Sequence, residues 1–279
     1  MSWFGSLFRA KRPKPFGPPP RDVESLTASA AVPAIHLIGQ EAVSRSHLGG
    51  TPELPPDFVW PSHQGKPLSF LACLELAQLH QALRIDWLPP NGALLFFYDL
   101  KNHPWGYDPK NRDSWSVVHL PEGGPDWVVP KTQSISLPRL NVRPKCIRTL
   151  PSWEREPILA LSLTDEESDL YLDLTDKPYG DAAQHQIGGF PSPVQGDEME
   201  LQCQLTSHGL FCGDSTGYNS PEAQPLKAGA ADWRLLLQID SDDDLEVMWG
   251  DLGKLYFWIQ ESTARQADFS NAWVVLQCS

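Results

Sequence analysis

The stretch that decides the fold is Arg234-Leu-Leu-Leu-Gln-Ile-Asp-Ser-Asp-Asp-Asp-Leu-Glu-Val-Met-Trp-Gly-Asp-Leu-Gly-Lys-Leu-Tyr-Phe-Trp-Ile-Gln260. It contains an apolar run, an acidic turn, a short second run, a Gly-Asp-Leu-Gly turn and an aromatic third run. Its glycine and aspartate residues fall where the chain must reverse, and its apolar residues fall in runs of strand length. The stretch therefore predicts consecutive antiparallel strands of a central sheet.

A similar layout earlier in the chain predicts an internal duplication. Residues 69–76 parallel 235–240, and 92–99 parallel 253–260. Each copy follows a Gly-Gly turn with proline close behind it. The order and the residue classes agree while the intervening lengths differ, as in an old duplication and unlike a short-period solenoid. The alternative is that such turns and strands simply recur in a β-rich protein.

We expect one α+β domain with mainly antiparallel sheets and short helices, although the length of the chain also allows two small domains. The chain has 279 residues, 41% of them hydrophobic, which suffices for a sizeable core. Its 27 prolines favour many short elements over long helices. We expect a single compact, internally duplicated domain over residues 22–279, with pseudo-repeats at about 33–150 and 151–279.

The charge of the chain is strongly negative and unevenly distributed. The formal net charge is −13, yet residues 1–21 carry five basic residues and no acidic one. Residues 22–279 therefore hold 17 basic residues against 35 acidic ones. Because such a surface repels phosphate backbones, nucleic acid is not an expected partner.

The basic, proline-rich tail of residues 1–21 is expected to be disordered, since its composition cannot bury a core. Trp3, Phe4, Leu7 and Phe8 would share one face of a short helix, so a weak and reversible contact with a membrane surface is the alternative. The basic residues follow the apolar ones and no apolar h-region occurs, which argues against a signal peptide.

The five cysteines predict a reducing compartment, and we expect the protein to be cytoplasmic. Their number is odd and no Cys-x-x-Cys spacing occurs. Cys212 lies in a polar loop and is the best candidate for an exposed thiol, although no spacing ties it to a histidine.

Shorter patterns predict the remaining elements. Apolar and acidic residues place helices at 22–31 and 165–172. Alternation predicts an edge strand at 34–38 and favours a strand at 199–205, where a helix is the open alternative. A closing strand is expected at 272–278.

Several uncommon strings then recur in the order of a known family. They are Leu-Gly-Gly-x-Pro-x-Leu-Pro-x-x-Phe-x-Trp-Pro (48–61), Pro-Leu-Ser-Phe-Leu-Ala (67–72), Gln-Ile-Gly-Gly-Phe-Pro (186–191), Met-Trp-Gly-Asp (248–251) and Trp-Val-Val-Leu-Gln-Cys (273–278). In these strings the chain resembles the YwqG-like proteins, a largely uncharacterised bacterial family. The resemblance covers about residues 33–279 and implies a compact, duplicated α+β fold.

What the resemblance implies about function is limited. It implies no established activity, substrate or catalytic residue. Some members are encoded beside secreted-toxin systems, which makes an interaction or immunity role conceivable.

The acidic turn is the nearest approach to a metal motif. Asp240, Asp242 and Asp244 alternate, and Asp251 stands where a calcium loop ends. However, Leu245 occupies the position where an EF-hand requires glycine, and strands rather than helices are expected on both sides. The histidines show no zinc spacing. We therefore expect a solvated turn, no metal and no cofactor.

No catalytic motif emerges from the remaining residues. A Walker A loop, a Gly-x-Gly-x-x-Gly loop and a nucleophile elbow are all absent from the sequence. The leading hypothesis is a non-catalytic binding or interaction module for an unidentified protein or small molecule. The alternative is an enzyme with a pocket between the two halves. The candidate pocket residues are His185, Gly188, Gly189, Asp240, Trp249 and Asp251.

Overall fold

The computed structural model describes residues 19–124, 126–131 and 134–279. Within them the chain forms twelve strands and six α-helices. The strands are β1 (Val32–Gly39), β2 (His47–Leu48), β3 (Ser62–His63), β4 (Lys66–Pro67), β5 (Ser69–Glu75), β6 (Ala93–Tyr98), β7 (Trp115–Leu120), β8 (Leu140–Thr149), β9 (Gln186–Ile187), β10 (Trp233–Asp240), β11 (Lys254–Gln260) and β12 (Trp273–Gln277). The helices are α1 (Val23–Thr27), α2 (Leu76–Ala82), α3 (Asp165–Asp176), α4 (Met199–Ser207), α5 (Ser215–Asn219) and α6 (Glu261–Ala264).

Ten strands form one sheet in the order β12-β11-β10-β9-β1-β8-β2-β5-β6-β7, while β3 and β4 form a separate hairpin. Every pairing is antiparallel, so the expected α+β class with a mainly antiparallel sheet is confirmed. On each side of the central β1–β8 pair stands a two-residue strand that leads into a Gly-Gly turn. Beyond each of these short strands lies a meander of three strands. We call β5–β7 the first meander and β10–β12 the second meander.

The two meanders share an irregularity at the same place. The β5–β6 register shifts between Phe70 and Ala72, and the β10–β11 register shifts between Leu235 and Leu237. An extra residue at such a bulge bends the strand and increases its twist. Each meander therefore curves over the core.

The curvature brings the two edges of the sheet together. Trp115 of β7 donates its indole N–H to Ala272 O at 2.9 Å, and its ring packs edge-on against Trp273 of β12 at 5.1 Å. Leu276 N donates to Trp105 O, which occupies part of the outer edge of β12. The sheet is thus nearly closed, and part of its β12 edge is covered.

The main core lies between the two meanders and is rich in aromatic rings. Phe96 of the first meander meets Phe257 of the second edge-to-face, with ring centroids 5.2 Å apart. Tyr98 and Trp249 make a similar contact at 5.8 Å. All four side chains are fully buried. Edge-to-face geometry suits the quadrupoles of such rings, so these pairs fix how the meanders face each other.

The deciding stretch forms two strands of the sheet instead of three. Its first and third runs are β10 and β11, as expected, but the middle run at 245–249 is a turn with one isolated bridge between Asp242 and Val247. Leu245 and Trp249 are buried, and their side chains enter the core. The run is apolar because the turn packs against the core. Its apolar residues made the run resemble a strand in the sequence.

The prediction of an edge strand at 34–38 is wrong, because this segment belongs to β1 at the centre of the sheet. His36 suggested a side facing solvent, yet it is buried, with its Nε2 2.9 Å from Ala183 O. A hydrogen-bonded histidine can occupy a core position that alternation assigns to water.

The strand favoured at 199–205 is also wrong, because this segment is the helix α4. Its buried residues include Met199, Cys203 and Thr206, which recur at helical spacing. Seven alternating residues are too few to separate the two periods.

The N-terminal tail lies outside the described residues up to position 18. Arg21, at its end, donates to the Glu167 carboxylate at 2.8 and 2.7 Å. Within the described part of the chain, no helix is both long and apolar enough to cross a membrane. The candidate membrane contacts, which lie outside the described residues, are Trp3, Phe4, Leu7 and Phe8.

Replacing Trp249 by alanine should destabilise the protein by about 3–5 kcal/mol, because a large cavity would open between the meanders. Chemical denaturation followed by fluorescence measures this change. Trp153, whose side chain is largely exposed, is the control, and its replacement by alanine should change stability by no more than about 0.5 kcal/mol. An equal effect of both substitutions would contradict the position assigned to Trp249.

Candidate functional site

A cleft of about 1070 Å³ opens beside the Gly-Gly turn that follows β9. It is lined by the starts of β1 and β10, the end of β11, the first turn of α4 and the loop at 154–155. We call it the Gly188 cleft. Its volume lies at the upper end of the range typical of small-molecule sites.

The backbone of the turn requires glycine at both positions. Gly188 and Gly189 have φ angles of 66° and 68°, a region that other residues rarely adopt. A Cβ atom on Gly189 would also stand 2.5 Å from Thr149 Oγ1 and 2.7 Å from Ala34 Cβ. Beside Gly188, in contrast, a Cβ atom would touch only Ile85 Cδ1 at 3.8 Å. The turn therefore leaves room on its cleft side.

The corresponding turn after β2 is covered by the chain itself. Gly50 N donates to Leu137 O at 2.9 Å. A Cβ atom on Gly49 would overlap Pro138 O. Among the described residues no such partner is found for the N–H group of Gly189. The first turn is thus covered by residues 137–138, whereas the second borders the open cleft.

An arginine bound by two carboxylates forms one wall of the cleft. Arg155 donates to Asp197 at 2.5 and 2.6 Å and to Glu200 at 2.9 and 2.7 Å. Its guanidinium also lies 5.7 Å from the ring centroid of Phe190. Burial alone would lower the pKa of Arg155, but the hydrogen bonds that it donates to Glu200 and Asp197 outweigh burial and raise that pKa. The arginine therefore stays charged and is held in one orientation.

The rim of the cleft carries unpaired negative charge. Its second cation, Arg234, is bound to Glu261 at 2.8 Å. Glu154 and Glu198 are exposed, and neither has an ion-pair partner among the residues that the structure describes. A cation entering the cleft would therefore meet free carboxylates, while an anion would be repelled.

The apolar floor of the cleft contains a buried donor without an acceptor. Trp233 and Trp258 both line it and are almost fully buried. Trp233 donates its indole N–H to Gln204 Oε1 at 2.8 Å. The N–H of Trp258 finds no acceptor within the described part of the chain. The nitrogen itself is sealed from solvent, so it lies beneath the surface that a ligand in the cleft would contact.

The structure places two of the six predicted pocket residues in the cleft and the other four outside its lining. Gly188 and Gly189 line the cleft, whereas His185, Asp240, Trp249 and Asp251 do not. Asp240 and His185 are in contact, since Asp240 N donates to His185 Nδ1 at 3.1 Å. Trp249 is in the core and donates to Asp240 O at 3.2 Å. The side chain of Asp251 is exposed on the next turn.

His185 and the acidic turn form a structural network. Because His185 Nδ1 accepts from a backbone N–H, its Nε2 carries the proton and donates to Asp242 at 2.8 Å. This hydrogen bond lowers the pKa of Asp242, whose other oxygen accepts from Asp244 N. Among the described residues, no group of three or more histidine, cysteine, aspartate or glutamate side chains could hold a metal ion. The turn is tied to β9 by these bonds.

Cys212 is not the exposed thiol that its polar loop suggested. It is buried, and burial raises the pKa of its thiol to about 11. Cys146 on β8 is the exposed cysteine. A thiol with a raised pKa is a poor nucleophile, which removes Cys212 as a catalytic candidate.

Sequence reasoning missed the charged wall of the cleft. Arg155 and Asp197 lie 42 residues apart, in loops without periodic pattern. Only the Gly-Gly-x-Pro string marked this region, through the turn that it forms. Neither the ion pairs nor the unpaired indole of Trp258 leaves a local signal.

These features define an antiparallel α+β domain with one curled sheet and an open cleft at a glycine turn. A family model described as Domain of unknown function (DUF1963) matches residues 46–278, and the chain belongs to this family. A search of curated proteins found no match to the chain.

Replacing Arg155 by methionine should destabilise the protein by about 3–5 kcal/mol, because Asp197 would be left buried and unpaired. Burial raises the pKa of Asp197, and the substitution removes the group that lowers it. A carboxyl group with a raised pKa binds its proton more tightly in the folded state. The deficit should therefore shrink as the pH falls from about 7 to about 4.

Denaturation of the wild type and the variant across this pH range measures the effect. The control is Arg45→Met, which removes an exposed ion pair with Glu75. It should cost no more than about 1 kcal/mol. A deficit at Arg155 that is equally small, or that grows as the pH falls, would contradict the role assigned to this pair.

Proposed function

We propose that the protein is a cytoplasmic, non-catalytic binding module whose ligand occupies the Gly188 cleft. The observation that carries the proposal is the backbone N–H group of Gly189 in the cleft lining, for which the described residues offer no acceptor. A backbone donor without a partner beside an apolar recess favours a ligand that supplies an acceptor. The ligand is a small molecule or part of another protein.

The chemistry of the cleft supports binding over catalysis. Catalysis by a side chain requires a nucleophile or a proton-transfer group with a positioned partner. The residues that line the cleft include no histidine and no cysteine. Asp197 and Glu200 are bound to Arg155, while Glu154 and Glu198 stand at the rim. An enzyme whose pocket joins both halves is the second candidate, since Val32 of β1 contributes to the same cleft.

The YwqG-like relationship and the internal duplication belong to the same proposal. The matching order of strands about the β1–β8 pair and the matching bulges support two copies of one unit. That order favours β1–β7 and β8–β12 as the copies, with the boundary between β7 and β8. In this view one Gly-Gly turn kept its cover while the other became a site.

Two further observations support the proposed setting. All five cysteines are free thiols, as expected in a reducing cytoplasm. The acidic surface argues against nucleic acid as a partner.

Filling the cleft should abolish ligand binding without unfolding the protein. Ala231 lines the cleft and is exposed, so Ala231→Trp would occlude it at little cost in stability. The matched control is Ala42→Trp, at an exposed position away from the cleft. Each protein is incubated with an extract of the native cell and separated by size. Retained molecules are then identified by mass spectrometry.

We expect at least one molecule to be retained by the wild type and Ala42→Trp but lost from Ala231→Trp. Recovery of that molecule in unchanged form supports a binding module, and its conversion would support the enzyme instead. If the three proteins retain the same molecules, the cleft is not the ligand site.

A further inference from the structure

We propose that the Gly188 cleft binds an extended segment of a partner protein that carries a lysine or arginine side chain. The inference rests on the proposed function and names the class of ligand. A carbonyl group of its backbone would accept from Gly189 N, and its cationic side chain would meet the acidic rim. Three independent features of the described residues support this assignment.

The first feature is an internal example of the same contact. At the turn after β2, residues 137–138 lie against the glycines, and Leu137 O accepts from Gly50 N at 2.9 Å. Gly49 and Gly188 have φ angles of 58° and 66°, so the two turns present their N–H groups in similar ways. A peptide carbonyl at Gly189 would reproduce the bond made by Leu137. Capture of extended chain by free backbone groups is a common mode of peptide recognition.

The segment of this chain that corresponds to the cover is engaged elsewhere. Arg139 Cβ and Ala34 Cβ stand in matching places, 2.8 and 2.7 Å from the Cβ positions of Gly50 and Gly189. The residues before Ala34 correspond to those before Arg139. Val32, however, is paired with Thr149 in the centre of the sheet. The chain therefore cannot cover its second turn as it covers the first, and a partner can take that place.

The second feature is the charge of the rim. Arg155 and Arg234 each form ion pairs with carboxylates. Among the described residues, Glu154 and Glu198 find no ion-pair partner. Residues 22–279 carry more than twice as many acidic as basic residues, so the field around the cleft has the same sign. These charges attract a cationic segment and repel phosphate and carboxylate ligands.

The third feature is the aromatic lining. Trp87 and Phe190 are half-buried in the walls, and Trp233 and Trp258 form the floor. The long aliphatic stem of lysine or arginine packs on such rings, and its charged end interacts favourably with their faces. Arg155 already lies against Phe190 in this way. A purely apolar ligand would leave the rim carboxylates and the N–H group of Gly189 without partners.

Binding of short synthetic peptides to the full-length protein tests the inference by calorimetry. The probes are acetylated, amidated heptapeptides with Leu-Pro at their centre and one lysine placed at each other position in turn. Matched peptides carry glutamine or glutamate in place of lysine. We expect at least one lysine peptide to bind, its glutamine analogue to bind about tenfold more weakly, and the glutamate analogue not to bind measurably.

Two variants separate the charge of the rim from the rest of the cleft. The double substitution Glu154→Gln and Glu198→Gln should weaken the lysine peptide about tenfold and leave the glutamine peptide unchanged. Ala231→Trp fills the cleft, so it should weaken both peptides by about the same factor. The charge-matched control is Glu41→Gln with Glu222→Gln, two exposed positions away from the cleft, which should bind like the wild type.

The outcomes distinguish this inference from the proposed function. Equal binding of lysine, glutamine and glutamate peptides would overturn the cationic ligand while the cleft remains a peptide site. No peptide binding, together with a small molecule lost from Ala231→Trp, would overturn the inference and keep the proposed function. If Ala231→Trp binds the lysine peptide as tightly as the wild type does, both fail.

Discussion

The antiparallel pairing of β1 with β8 is the interaction on which the rest of the structure depends. It runs in register from Val32 opposite Thr149 to Gly39 opposite Val142, and it joins the two halves into one sheet. On each side of this pair a two-residue strand leads into a Gly-Gly turn and then into a meander. Because the meanders extend in opposite directions from one central pair, the same bulge in each brings their aromatic faces together. The core contact between Phe96 and Phe257 follows from that geometry.

The difference between the two Gly-Gly turns produces the site. Around the first turn, residues 137–138 stay outside the sheet and lie on the glycines. Around the second turn the matching residues enter β1, where they gain strand partners and give up the covering contact. The cleft is therefore a consequence of extending one central strand by a few residues. The aromatic floor and the ion pairs of Arg155 then give the vacated space its chemistry.

Local patterns were enough to predict β6 of the first meander and all three strands of the second. Runs such as 253–260 are long, apolar and bounded by glycine. Their local preference for a strand therefore agrees with the structure that packing imposes. The middle run of the deciding stretch and the segment at 199–205 were short, and there burial decided the structure. The candidate site was only half predictable. Gly188 and Gly189 have a conformational signature in the sequence, whereas Arg155 and Asp197 meet through folding alone, which a single sequence does not record.

The strand order also has a consequence for synthesis on the ribosome. The first meander, β2 and β8 are complete once residue 149 has emerged, and β8 can then receive β1 on one side. The other side of β1 waits for β9 and for His185 just before it, whose backbone oxygen accepts from Leu37 N. During the interval the nascent chain presents an unpaired, apolar strand edge at its centre, which is the kind of surface that invites aggregation. A chaperone that shields this edge would matter more for this chain than for a sheet whose neighbouring strands follow one another in sequence. The same holds for slowly translated codons that lie outside the stretch between β8 and β9.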